Sequence, residues 1–108
     1  MAQRGFIVPF VSKQMERKLA FGSALKAVRV RKGIAQEQLG ASQSFISTLE
    51  RGIRSPTVEK LEELAERLEV NPATLIILMQ IGIDGDDEAL LGKIHQEIAA
   101  LRIRKCSE

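Results

Sequence analysis

The chain of 108 residues has no tryptophan and no tyrosine, and four phenylalanines supply all of its aromatic content. Its core must therefore be built from aliphatic side chains, and its length allows one modest domain. A single cysteine, Cys106, excludes an internal disulfide framework and a cysteine-rich zinc site. A single histidine, His95, excludes a multi-histidine metal centre. The longest apolar stretch, 75–83, is interrupted by Gln80 and Gly82, and falls short of the ~20 residues a membrane-spanning helix needs. The apolar run near the start is short, is broken by Pro9 and is followed by no small-residue cleavage site, so the expected location is cytoplasmic, away from any membrane. There is no glycine-rich phosphate loop and no pair of carboxylates in an apolar setting. No catalytic residue, metal or cofactor is nominated, and an enzyme is not expected. The acidic stretch 84–88 lacks the twelve-residue spacing and the bidentate Glu of a calcium loop.

What the chain does have is an uneven distribution of charge. Residues 1–54 carry ten Lys and Arg against three acidic residues, a balance of +7, whereas residues 55–108 carry six against eleven, a balance of −5. The overall +2 is the remainder. A basic half suits a face that meets a polyanion, although solvated helix faces give the same count.

The pattern along the chain is all-α. Residues 6–11 (FIVPFV) are extended in character, and Pro9 restricts them to an arm or an edge. Residues 1–12 are thus expected to be an N-terminal arm or dimer-contact segment. With Ser12 as cap, a first helix runs to Lys32, with a possible break at Gly22 and a stop at Gly33. A short segment, 35–39, ends at Gly40. Ser42 then caps a helix over 43–51 whose inward residues are Ile46 and Leu49. Thr57 caps the next helix, with an apolar stripe of Val58, Leu61, Leu64, Ala65 and Leu68. Asn71 and Pro72 open another helix, which carries Leu75, Ile76, Leu78 and Met79 and is apolar on more sides than a surface helix should be. Residues 82–87 read as a flexible acidic linker, and a last helix covers about 86–104. The domain boundaries are therefore 13–81 for the main bundle and 82–108 for linker and C-terminal helix.

Function is concentrated in the two short segments around Gly40, which form a helix–turn–helix pattern. Gln43, Ser44, Ser47 and Thr48 present short polar groups from the outer face of a capped helix, the form that enters a major groove and reads base edges. A glutamine amide can bond adenine N6 and N7 together. Any short capped helix has polar outward residues, so the pattern alone leaves both readings open.

The neighbouring residues add to it. The sequence from Phe21 to Leu78 resembles the Xre/Cro/cI family of phage and bacterial repressors. The resemblance is carried by Phe21, Gly22, Leu25, Arg29, the KGIAQEQL run at 32–39, the SQSFISTLERG run at 42–52, Arg54, Pro56, and Leu61, Leu64, Ala65, Leu68 and Val70. It implies a five-helix lambda-repressor-like bundle that binds double-stranded DNA, usually as a dimer, here with an N-terminal arm and an extra C-terminal helix. It also implies base contacts from Gln43, Ser44, Ser47 and Thr48, with Gln43 foremost. Backbone contacts are implied for Gln36, Phe45 and Arg54, with Phe45 and Ser47 near the backbone or a thymine methyl. Arg29 and Glu50 look like the family's buried ion pair, joining the first helix to the third. Compared with the family, about four residues are missing between Leu39 and Gly40, so the second helix is one turn, ~5.4 Å, shorter.

In the C-terminal helix Leu91, Ile94, Ile98 and Leu101 fall at 3-4-3 spacing. This stripe suits dimerisation slightly better than packing back on the bundle. His95 lies on a polar flank of it, and an ordinary exposed histidine is expected there. The expected function is a sequence-specific regulator, by preference a repressor, acting as a homodimer. Two alternatives accompany it: an antitoxin whose acidic C-terminal half holds a small basic toxin, and a protein-interaction module whose shortened second helix has lost operator binding.

Overall fold

The structure is a computed structural model, and it describes residues 13–101. The arm at 1–12 with Ser12, and residues 102–108 with Arg104 and Cys106, lie outside the described residues. Five α-helices follow one another: α1 (Lys13–Arg31), α2 (Gln43–Glu50), α3 (Val58–Leu68), α4 (Pro72–Asp84) and α5 (Asp87–Leu101). A four-residue 3-10 turn, Gln36–Leu39, stands between α1 and α2. Among the described residues there is no strand, so the all-α class holds.

Local chemistry sets most of the helix starts. The Ser42 side chain accepts from the Phe45 N–H at 3.2 Å, and the Thr57 hydroxyl accepts from the Lys60 N–H at 3.1 Å. Asn71 Oδ1 accepts from the Ala73 N–H at 2.8 Å, with Pro72 at the first helical position. Each cap satisfies a backbone donor that the helix itself leaves unpaired. Asp86 does the same for α5, accepting from the Ala89 N–H at 3.0 Å.

The core is aliphatic, as the composition requires. Leu25 of α1, Leu39 of the turn, Ile46 and Leu49 of α2, Leu64 and Leu68 of α3 and Leu75 of α4 are fully buried around it, with Phe21 at its edge. Each such side chain contributes about 1.5–3 kcal/mol by leaving water. The short α2 is therefore held by its neighbours more than by its own eight residues, since isolated helices of that length do not persist. Leu39 is fully buried although its helix is reduced to a single 3-10 turn, so the second element still anchors the bundle.

Three local expectations are corrected. Gly22 does not break α1, which runs continuously through it. It is buried there because α2 crosses so closely that a Cβ would lie 2.5 Å from the Leu49 carbonyl oxygen and 2.6 Å from that of Glu50. Residues 82–84 are not linker, because α4 continues to Asp84 and turns at Gly85. Val58 is not part of the buried stripe of α3. It is the first helical residue, beyond the rim of the core, and 71% exposed.

On α4, Leu75 is buried, Leu78 and Met79 are half-buried and Ile76 faces outward. Helix α5 buries none of its residues. Its Leu91, Ile98 and Leu101 are exposed and Ile94 is half-buried, while His95 is exposed. Among the described residues no helix is long and apolar enough to cross a membrane.

Candidate nucleic-acid interface

The site is built on α2, whose position is fixed from three sides. Ile46 and Leu49 plug it into the core, Ser42 caps its N-terminus, and Gly22 lets α1 cross its C-terminal end. The turn before it closes at Gly40, which takes the left-handed conformation (φ 82°) that side-chain-bearing residues rarely adopt. The Arg67 guanidinium of α3 covers this glycine, 3.2 Å from where a Cβ would stand.

Arg29 of α1 locks the other end. Its Nε donates to Glu50 Oε2 at 2.5 Å and its Nη2 to Oε1 at 3.0 Å, a two-point fork on the carboxylate. Its Nη1 donates to the Ile34 carbonyl at 3.0 Å, so the same guanidinium also ties down the segment leading to the turn. The Glu50 side chain is only 4% exposed. The hydrogen bond to Glu50 raises the Arg29 pKa above its ordinary value against the opposing effect of burial, so this arginine is always charged.

A chain of amides extends from this pair to the outer surface. Gln36 Nε2 donates to Glu50 Oε1 at 2.9 Å, and Gln43 Nε2 donates to Gln36 Oε1 at 3.3 Å. An ionised carboxylate only accepts, so Glu50 turns the NH₂ of Gln36 inward and its oxygen toward Gln43. Gln43 must then meet that oxygen with its own NH₂. Its carbonyl oxygen and second N–H are left for an outside partner. The resemblance implies only a backbone-contact role for Gln36, and the structure adds its link to Glu50.

The outer face of α2 divides into two regions. Gln43 and Ser44 are exposed, whereas Phe45, Ser47 and Thr48 are half-buried. The Thr48 hydroxyl donates to the Phe45 carbonyl at 2.6 Å, and the Ser47 hydroxyl accepts from Arg51 Nε at 3.3 Å. Both hydroxyls are thus engaged within α2 and its cap. The Phe45 ring packs on the edge of the core and carries two cations at its rim. Arg54 Cζ and Lys60 Nζ each lie 5.9 Å from the ring centroid, within cation–π range. Lys60 also pairs with Glu63 at 2.8 Å, which holds the Glu63 carboxyl below its usual range. Lys60 is absent from the residues implied by the resemblance, and only the tertiary structure brings it to Phe45.

A polar helix end oriented by a part-buried ion pair and flanked by cations is suited to a nucleic acid groove. Residues 25–75 match the Helix-turn-helix family, from mid-α1 through the first turn of α4. An uncharacterized HTH-type transcriptional regulator, y4dJ, of Sinorhizobium fredii (strain NBRC 101917 / NGR234) is 41% identical over 66 residues, which cover 57% of this chain and 86% of that protein. The chain belongs to the helix-turn-helix family. As a helix-turn-helix protein of the Xre/Cro/cI type, it is a member of a class of DNA-binding transcription regulators. The family match contains every residue of the network around α2, and it leaves α5 outside.

Proposed function

We propose that this helix-turn-helix protein is a sequence-specific repressor that binds operator DNA as a homodimer, with α2 in the major groove. The observation that carries the proposal is the oriented amide of Gln43. Its free oxygen accepts and its remaining N–H donates, which matches the N6 donor and N7 acceptor of adenine. Ser44 adds an exposed hydroxyl beside it, and Ser47 and Thr48 complete the base-facing edge once their internal bonds are exchanged. Gln36, Phe45 and Arg54 flank the helix as backbone contacts. Such a regulator acts in the cytoplasm, where its DNA lies.

The exposed stripe on α5 supports the homodimer. Leu91, Ile98 and Leu101 are 46%, 55% and 68% exposed, a line of apolar surface that a second copy would cover. Two copies place their α2 helices in half-sites about one helical turn, ~34 Å, apart. In the antitoxin variant of this proposal the acidic C-terminal half also holds a basic toxin protein.

One observation favours a second reading, that of an interaction module without operator binding: the element before α2 is a 3-10 turn of four residues. Fluorescence-anisotropy titration against the protein's own promoter region and a scrambled duplex separates the two. The repressor proposal expects a preference for the promoter that Gln43→Ala abolishes while the circular dichroism spectrum is unchanged. Equal binding to both duplexes, indifferent to Gln43, supports the interaction module instead.

A further inference from the structure

Two cations from different elements converge on one aromatic ring at the rim of α2. Arg54 comes from the loop after α2 and Lys60 from the first turn of α3, and both stand 5.9 Å from the Phe45 centroid. Phe45 packs against the core, so the ring is a fixed platform. A cation laid against a ring still has N–H donors on its outer side for an anion. Arg54 has no carboxylate partner among the described residues, and Lys60 has only Glu63.

The geometry of the Lys60–Glu63 pair is informative. A lysine serving only an i,i+3 pair stands out in solvent, and such pairs are weak. Here the Lys60 side chain is 30% exposed, laid down toward Phe45, whereas Glu63 is 57% exposed. The lysine is the anchored member and the glutamate the outer one, so exchanging the partner requires Glu63 to swing away while Lys60 stays in place.

We infer that Lys60 is a DNA-phosphate contact, positioned by Phe45, and that Glu63 occupies it in the free protein until a phosphate displaces the carboxylate. The inference rests on the DNA-binding reading above and extends the interface from α2 to α3. It also assigns Glu63 a function, since an internal carboxylate competing for Lys60 lowers affinity for every duplex alike and leaves base discrimination to Gln43.

The test is the salt dependence of binding by the full chain to a 30-base-pair duplex of its own promoter region and to a scrambled duplex of the same composition. Lys60→Met should lower the log–log salt slope by about 0.9 on both duplexes, the release of one counterion, with a loss of roughly eightfold in affinity at 0.1 M salt. Lys60→Arg should keep the wild-type slope. Glu63→Gln should tighten binding to both duplexes, and the gain should disappear in the Lys60→Met background. Urea midpoints confirm that each variant is folded. If the wild type binds with a steep slope that Lys60→Met leaves unchanged, the lysine is a helix-surface pair only and the inference is overturned, while the repressor proposal stands. If the wild type binds neither duplex, both fall together.

Discussion

At the scale of single residues, the Arg29–Glu50 pair bears most on stability. Glu50 is almost fully buried and accepts from Arg29 twice and from Gln36 once. Arg29→Met leaves that carboxylate with a single neutral donor, and should cost about 3–5 kcal/mol in a urea titration, the usual penalty for an uncompensated buried charge. Because the Arg29 pKa is raised, its contribution is complete below the unfolded value and fades only as pH climbs through the folded one. No ordinary buffer reaches that range. Glu63 has the opposite sign. Lys60 lowers its pKa, so the contribution of the pair is present above the unfolded value and is lost as pH falls through the folded one. A carboxyl-carbon NMR titration should find the Glu63 midpoint below the ordinary glutamate value, and Lys60→Met should raise it. Gly22→Ala would push a methyl into the Leu49 and Glu50 carbonyls, and should cost about 1–3 kcal/mol by forcing α1 away from α2.

At the scale of elements, α2, the helix proposed to enter the groove, depends on a cap it cannot replace. Ser42→Ala removes the acceptor for the Phe45 N–H and should cost about 1 kcal/mol in a thermal or urea melt, with operator binding falling alongside as the first turn of α2 frays. Such boundaries are legible in the sequence because they are local. Ser42, Thr57 and Asn71–Pro72 each act within three residues, and the inward spacing of Ile46 and Leu49 follows from the helical repeat alone. What escaped the sequence is what depends on a neighbouring element. Gly22 looked like a helix breaker, and only the crossing of α2 shows it to be a close-approach site. Residues 82–84 looked like linker because Gly82 and Asp84 are weak helix formers, yet α4 carries through them to Gly85. Lys60 reads in the sequence only as the third residue after the Thr57 cap, since its 5.9 Å approach to Phe45 is a tertiary property. The resemblance named Gln36, and the amide chain that connects it to both Gln43 and Glu50 became visible only with the fold.

At the scale of the whole molecule, the protein divides into a bundle that holds α2 rigidly and an outlying helix that buries nothing. The proposed division of labour is recognition by the first and dimerisation by the second. Ile98→Asp should therefore turn a dimer into a monomer in sedimentation velocity while leaving the helical content unchanged, because Ile98 supports no part of the core. Operator affinity should drop sharply in that variant, since each half-site must then be bound alone. The charge asymmetry of the chain fits the same division, with the basic half containing α2 and the acidic half containing α5. The central claim is base reading by an amide that the Arg29–Glu50 ion pair orients. It is tested most directly by anisotropy titrations of the wild type and of Gln43→Ala against the promoter duplex and its scrambled counterpart, at 50 and 200 mM salt. The account predicts that the wild type prefers the promoter at both salts and that Gln43→Ala binds the two duplexes equally with its salt slope unchanged. A wild-type protein that does not distinguish the duplexes, or a Gln43→Ala variant that still does, would contradict it.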